Sequence, residues 1–321
     1  MKPIRATATH IAAAPPGMAD GTGSLRGAVA AGRRLRSGRA WSGEEPVKLS
    51  LLMPAYNEEE TIAAVAEALL SQDYPFEIEL IIVDDGSSDR TPLHIAQIDD
   101  PRVITYRHPR NFGKGAALLT AAQLASGTHV LPFDADLEYA PADIPRLVEP
   151  VLAGRCDVVY GARLFGANTV YQSYRFAMGN KMTTLAANVL FDAHLADMHT
   201  CLKLVPLGLF RALRLQDTGF GLDSELTARL LRLGIRPFEV PISYHSRSHN
   251  EGKKLTWRDG FGCLVTLGRV RFGRGPRSMA QLLDAATDAA GAAGHGPSAV
   301  PEGRPAAVGA PSDEQASSGV A

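Results

Sequence analysis

Residues Val130–Tyr139 read VLPFDADLEY. An apolar run, Val130, Leu131 and Phe133, stops at Asp134-Ala135-Asp136. Alternate side chains of a strand share a face, so two acids one residue apart reach one point if the strand end stays extended. Hard divalent cations take oxygen ligands, and Mg²⁺ keeps waters and substrate phosphates in its remaining positions. An Asp-x-Asp at the carboxyl end of a strand therefore suits a cation that itself holds a diphosphate. Taken alone, the pair also fits a solvated turn, and the flanking chain has to decide.

Upstream, apolar runs alternate with helical patterns. Lys48–Pro54 (KLSLLMP) reads as a buried strand, followed by a helix over 58–71 with Ile62, Val65, Ala66 and Leu69 on one face. Ile78–Val83 is a second strand, ending in Asp84-Asp85-Gly86-Ser87-Ser88-Asp89, with Asp89 as the expected N-cap of the next helix. Val103–Tyr106 is a third, followed by Asn111-Phe112-Gly113-Lys114-Gly115 and an Ala/Leu-rich helix to Ser126-Gly127. Thr128–Phe133 is the fourth. Downstream the pattern predicts a helix over 141–152, a strand over 157–160 and a long helix over 171–191. A strand over 202–205, a helix over 223–233 and a Pro-interrupted edge strand over 236–244 follow.

This alternation indicates an α/β fold, a mostly parallel sheet with helices on both faces. Ligands of such sheets bind at the carboxyl ends of the strands. Each of the first four strands ends there in polar or special residues: Asn57-Glu58, Asp84-Asp85, Asn111 with Lys114, then Asp134 and Asp136. A carboxylate at 84–85 suits the N–H of a uracil or guanine base, and also an Asp-rich turn. Gly113-Lys114-Gly115 lacks Walker spacing, yet Lys114 at a helix start suits an anionic diphosphate as well as a surface position.

The chain of 321 residues is 45% hydrophobic and 21% charged, ordinary for a globular protein. A net charge of -1 gives no global field pointing to nucleic acid. Cys156, Cys201 and Cys263 are scattered and read as buried thiols in a reducing compartment. No apolar run reaches the ~18–20 residues that span a bilayer, and the N-terminus lacks a signal-peptide pattern, so a cytoplasmic location is expected. Four segments are expected: a disordered basic arm (1–46, with Arg33, Arg34, Arg36 and Arg39), a catalytic domain (47–250), a basic loop with an amphipathic helix (251–274) and a disordered tail (275–321). A short helix over 279–290 has no obvious packing partner in the sequence.

Four motifs in order, Pro54-Ala55-Tyr56-Asn57-Glu58-Glu59, Val83–Thr91, Asn111–Gly115 and Asp134–Glu138, resemble family 2 glycosyltransferases with the GT-A fold. Within that family the chain resembles the dolichol-phosphate and polyprenol-phosphate mannosyl- and glucosyltransferases over roughly residues 48–272. The resemblance implies inverting transfer of a hexose from a UDP- or GDP-sugar to a polyprenyl phosphate, with Mg²⁺ or Mn²⁺. It implies that Pro54, Tyr56, Glu58 and Asp85 line the nucleotide and that Asp134 and Asp136 hold the metal. Glu138 stands where those relatives often carry Gln, as a third ligand or as a charge repelling the diphosphate.

Later segments match more loosely. Gly161-Ala162-Arg163 resembles a Gly-Ser-Arg whose arginine meets the acceptor phosphate, and Arg175 on the following helix is a second candidate. Asp197–Lys203 resembles an acceptor-side Asp-x-x-x-Gly-x-Lys/Arg stretch, from which Cys201 and Leu202 depart. Gly221-Leu222-Asp223-Ser224-Glu225 resembles Phe-Asp-x-Glu, so Asp223 and Glu225 are candidate bases for a hydroxyl acceptor, with helix capping as the competing role. Arg247, Lys253 and Lys254 lie in a stretch resembling Arg-x-x-x-Glu-Gly-Lys-Lys and suit two phosphates. Phe261, Leu264, Val265, Leu267, Val270 and Phe272, with Arg269, Arg271 and Arg274, suit either core packing or peripheral contact with the inner face of a membrane. Two alternatives remain open from sequence. One is the same sugar transfer to a soluble or natural-product acceptor, for example from UDP-GlcNAc or UDP-Glc. The other is a sugar-nucleotide binding protein without turnover.

Overall fold

Five consecutive buried residues, Leu49 to Met53, mark the centre of a sheet covered on both sides. In β1 (Lys48–Ala55), Leu49, Leu51 and Met53 join one core cluster, and Leu52 joins the cluster on the opposite face. In β2 (Glu77–Asp84), Leu80 and Ile82 divide from Ile81 and Val83 in the same way. The period of two thus serves two helical layers. The first is α1 (Ile62–Ser71), with Ile62, Val65 and Leu69, and α4 (Ile144–Leu152). The second is α3 (Lys114–Leu124) and α7 (Leu222–Arg232). Leu51→Ala at this doubly covered position costs about 2–5 kcal/mol.

The computed structural model describes residues 46–163, 169–170, 174–245 and 257–282. Seven strands form one sheet in the order β3-β2-β1-β4-β7-β5-β8. Beyond β1 and β2 these are β3 (Val103–Arg107), β4 (His129–Pro132), β5 (Val159–Ala162), β7 (Lys203–Pro206) and β8 (Phe238–Pro241). All pairs are parallel except those of β7, which runs against both β4 and β5. The expected 236–244 strand divides at Ile242-Ser243 into the edge strand β8 and β9 (Tyr244–His245), and β9 pairs with β6 (Thr169–Val170).

The helix expected over 141–152 begins as a 3-10 turn, Pro141–Asp143. The short α2 (Thr91–Ile95) starts after Arg90, not after Asp89; Asp89 still serves that end, accepting the Thr91 N–H at 3.0 Å. The long helix is α5 (Tyr174–Phe191), and α6 (Leu207–Ala212) was not anticipated. A third cluster joins α5, α7 and α8 (Trp257–Phe272) through Ala187, Phe191, Ala228, Leu231, Leu267 and Val270. α8 therefore packs on the fold through one side. Residues 275–282 correct the expected tail: Leu282 is buried in the second cluster and Met279 packs against it. The basic arm, apart from Pro46, the 246–256 stretch and the tail beyond 282 lie outside the described residues.

Candidate active site

The loops after the first three strands are laced to one another. Asn57, at a positive φ of 53°, donates its N–H to Ser87 Oγ at 3.0 Å and accepts the Ser88 N–H at 2.9 Å. Glu58 N–H donates to Thr91 Oγ1 at 2.8 Å, and the Glu58 carboxylate accepts the Thr61 hydroxyl at 3.1 Å. Glu59 N–H meets Asp89 while its carboxylate accepts the Arg90 N–H. Pro54, next to last in β1, lies beside Val83, and Tyr56 follows the strand half-buried.

Asp85 then ties the second loop to the third. Its Oδ1 accepts from His108 Nδ1 at 2.7 Å and Phe112 N–H at 3.0 Å, and its Oδ2 from Gly113 N–H at 2.7 Å. His108 Nε2 lies 2.9 Å from the Thr120 hydroxyl. A carboxylate only accepts, so His108 Nδ1 carries a proton and donates it to Asp85. Asp85 is 2% exposed, so it holds this loop whatever else it meets.

The two glycines around Lys114 allow a close approach. A Cβ at Gly113, where φ is +102°, would lie 2.4 Å from the Thr218 carbonyl oxygen, and one at Gly115 would lie 2.5 Å from that of Asp217. The start of α3 is thereby pressed against the loop before α7, and Lys114 points at the end of β4. Its ammonium sits 2.7 Å from Asp134 Oδ1 and 2.8 Å from Oδ2. Burial works against this ammonium, yet Asp134, then Cys201 and Asp223, more than offset it, and the lysine pKa lies well above its usual value.

A second ammonium–carboxylate pair stands close by. Lys203 on β7 is fully buried, over the Tyr160 ring, and donates to Asp223 Oδ1 at 3.0 Å and to the Asp223 carbonyl at 3.1 Å. Burial raises the Asp223 pKa, but Lys203 and Lys114 together outweigh it and hold the carboxyl below its usual range. Burial first, then Asp134, pushes the Cys201 thiol well up, so it stands protonated between the pairs. Arg163, 8% exposed, makes a forked contact with Asp197 at 2.5 and 2.9 Å. It also reaches the Tyr139 hydroxyl at 3.4 Å and lies 4.8 Å from the Tyr244 ring centroid.

Asp85, Lys114, Asp134, Asp136, Arg163 and Asp223 therefore come to one end of the sheet, whereas the Glu225 and Glu138 carboxylates are engaged elsewhere. Glu225 is fully buried; it accepts the Gln216 and Asp217 N–H groups at 2.8 Å each and pairs with Arg229, and so fastens the loop behind α3. Glu138 does not complete a three-acid cage. Its carboxylate accepts the Tyr244 hydroxyl at 2.7 Å, and no three His, Cys, Asp or Glu among the described residues form a group that could hold a metal.

The remaining pair fits Mg²⁺ or Mn²⁺, since Mg²⁺ takes one or two carboxylates and completes its shell with water and phosphate. Asp134 already faces a cation, the Lys114 ammonium. The Arg175 side chain, Arg247 and Lys253 lie outside the described residues. The sequence gives no warning of His108, Tyr139 or Tyr244, whereas Lys203 stands in the acceptor-side motif as a single lysine inside the apolar run Leu202-Lys203-Leu204-Val205.

Comparison with known proteins gives this rim a family. A bactoprenol glucosyl transferase of Shigella phage SfV is 36% identical over 121 residues, covering 36% of this chain and 39% of that protein. An undecaprenyl-phosphate 4-deoxy-4-formamido-L-arabinose transferase of Proteus mirabilis is 36% identical over 144 residues, 43% of this chain and 44% of its own. The chain thus spans about two fifths of the length of these curated relatives. Among solved structures, glucosyl-3-phosphoglycerate synthase from Mycobacterium tuberculosis, in complex with Mn²⁺, UDP and phosphoglyceric acid, superposes with a TM-score of 0.54 at 21% identity. That match covers 73% of this chain and 82% of the other, and it establishes the shared fold. The family model for glycosyl transferase family 2 matches residues 50–212, just over half of the 321, and the chain belongs to that family.

Proposed function

We propose that this chain transfers a hexose from a UDP- or GDP-sugar to a polyprenyl phosphate. The observation that carries the reading is the pairing of Lys114 with Asp134 beside Lys203 with Asp223 at the strand ends. Each ammonium is held by a carboxylate; the part-exposed Lys114 can turn to an arriving phosphate, while the buried Lys203 holds Asp223 in place. Asp134 and Asp136 would hold the divalent cation, which offsets charge growing on the leaving diphosphate. Lys114 would face the same diphosphate, and Arg163 the acceptor.

The Asp223 carboxyl favours a phosphate acceptor over a hydroxyl. A hydroxyl needs a base with a pKa near the working pH, and Lys203 and Lys114 keep Asp223 below the ordinary carboxylate range. A phosphate arrives already ionised. The names of the Shigella phage and Proteus relatives agree with a lipid-phosphate acceptor.

Such a lipid calls for contact with a bilayer. Tyr174, Met182, Leu185 and Val189 on α5, and Phe261, Leu264, Val265 and Phe272 on α8, are exposed. Exposed Arg269, Arg271 and Arg274 accompany them, a composition suited to an anionic inner leaflet. Among the described residues no helix is long and apolar enough to cross a membrane, and these two exposed faces suit a peripheral contact.

The test is incubation of the protein and Mn²⁺ with a panel of sugar nucleotides, a short polyprenyl phosphate and detergent-free soluble acceptors, with mass spectrometry of the products. A glycosylated polyprenyl phosphate is expected. Product only on soluble acceptors, or donor binding without transfer, overturns the reading. Co-flotation with anionic vesicles, lost in a Phe261→Asp/Phe272→Asp variant, tests the membrane contact.

A further inference from the structure

Glu138 is engaged at three points that together cross the site. Its N–H donates to Asp136 Oδ1 at 3.2 Å, its carbonyl accepts the His245 N–H at 3.0 Å, and its carboxylate accepts the Tyr244 hydroxyl at 2.7 Å. Tyr139 forms an antiparallel bridge with Tyr244, and their rings lie 5.3 Å apart. The other side of this pair supports Arg163, over the Tyr244 ring and within 3.4 Å of the Tyr139 hydroxyl. The Tyr139 hydroxyl also accepts the Cys201 N–H at 3.0 Å. A phenol donating to a carboxylate is a charge-assisted bond with a defined direction. One short path therefore runs from Asp136 through Glu138 and Tyr244 to Arg163.

We propose that Glu138 and Tyr244 are positioning residues that fix the cation-holding loop relative to Arg163, so that the donor diphosphate and the acceptor phosphate meet at a set distance. Glu138 acts through Tyr244 and is not a metal ligand. The role rests on the acceptor reading above. It differs from a ligand role in a checkable way, because Tyr244→Phe removes the latch while leaving the Glu138 carboxylate in place for a cation.

The experiment compares Glu138→Gln, Glu138→Ala and Tyr244→Phe, each first checked for a wild-type thermal melt. Mn²⁺ affinity is read by electron paramagnetic resonance without sugar, and farnesyl phosphate affinity by calorimetry. All three variants are expected to bind Mn²⁺ within about twofold of wild type. Glu138→Gln should bind farnesyl phosphate normally. Tyr244→Phe and Glu138→Ala should each weaken it roughly fivefold or more, with the double variant no worse than either single one.

A tenfold loss of Mn²⁺ affinity in Glu138→Ala that Tyr244→Phe does not share makes Glu138 a ligand and overturns the proposal. Unchanged farnesyl phosphate binding in Tyr244→Phe overturns it too. A wild-type protein that binds Mn²⁺ but no farnesyl phosphate overturns the acceptor reading instead. Hydrogen exchange then judges the latch by itself: Tyr244→Phe should loosen residues 136–139 and 244–245 together, and loosening of one segment alone refutes it.

Discussion

Two acids at opposite ends of the same sheet, one buried and one half-buried, are held in contrasting ways. Glu79, near the start of β2, accepts the Ser50 and Ser126 hydroxyls and the Ser126 N–H at 2.6 Å each, the Gly127 N–H at 3.1 Å, and the Lys48 ammonium at 2.8 Å. Burial raises its pKa, but these donors outweigh it and bring it down to about 2. Asp134, at the far end, is matched chiefly by one flexible ammonium, Lys114. Most of the Glu79 donors are backbone or short hydroxyls that cannot leave. The partner of Asp134 hangs on a four-carbon stem and can turn to another anion. The first arrangement stabilises the fold, and the second keeps a carboxylate available to a cation.

That contrast can be broken most sharply at the rim. Asp134→Asn or Asp136→Asn should lower turnover by roughly 10²–10³-fold or more with an unchanged melting temperature. Near-normal rates in the purified variants would end the metal assignment. At the other end, Glu79→Ala should do the reverse. It strands the Ser126 and Gly127 N–H groups and costs about 2–4 kcal/mol in urea unfolding, while the folded fraction keeps wild-type kcat/KM.

Lys114→Gln sharpens the comparison. Without the competing ammonium, Asp134 should bind Mn²⁺ several-fold more tightly, as read by paramagnetic resonance. Turnover should still fall roughly 10–100-fold, because the diphosphate loses a charge partner. Equal Mn²⁺ affinity would mean that Lys114 and the cation do not share Asp134.

Acid separates the two ends by less. Burial and nearby Lys203 hold His199 neutral, with its pKa lowered from 6.5 to about 4, and its Nε2 lies 2.7 Å from the Thr183 hydroxyl. The unfolded chain binds that proton first, so this contribution is whole above pH 6.5 and is lost as pH falls toward 4. The loss is on the order of 3 kcal/mol and should be missing in His199→Gln. The Glu79 contribution survives this window and declines only as pH drops from about 4.5 toward 2. Urea unfolding at pH 7, 5 and 3.5 separates the two.

The sequence by itself determined the alternation of strands and helices and the polar ends of the first four strands. Periodicity and motif order are local, and a parallel sheet brings successive strand ends to one rim. It could not say which acid at that rim does what. Asp223 and Glu225 are two positions apart on one helix and therefore face different ways. Asp223 meets Lys203 from β7, and Glu225 turns to Arg229 and the 216–217 backbone. Asp136 and Glu138 are equally close in sequence, yet Glu138 meets Tyr244, 106 residues on. Only tertiary structure decided these pairings, because a buried charge takes its role from the groups brought against it, and those come from distant strands.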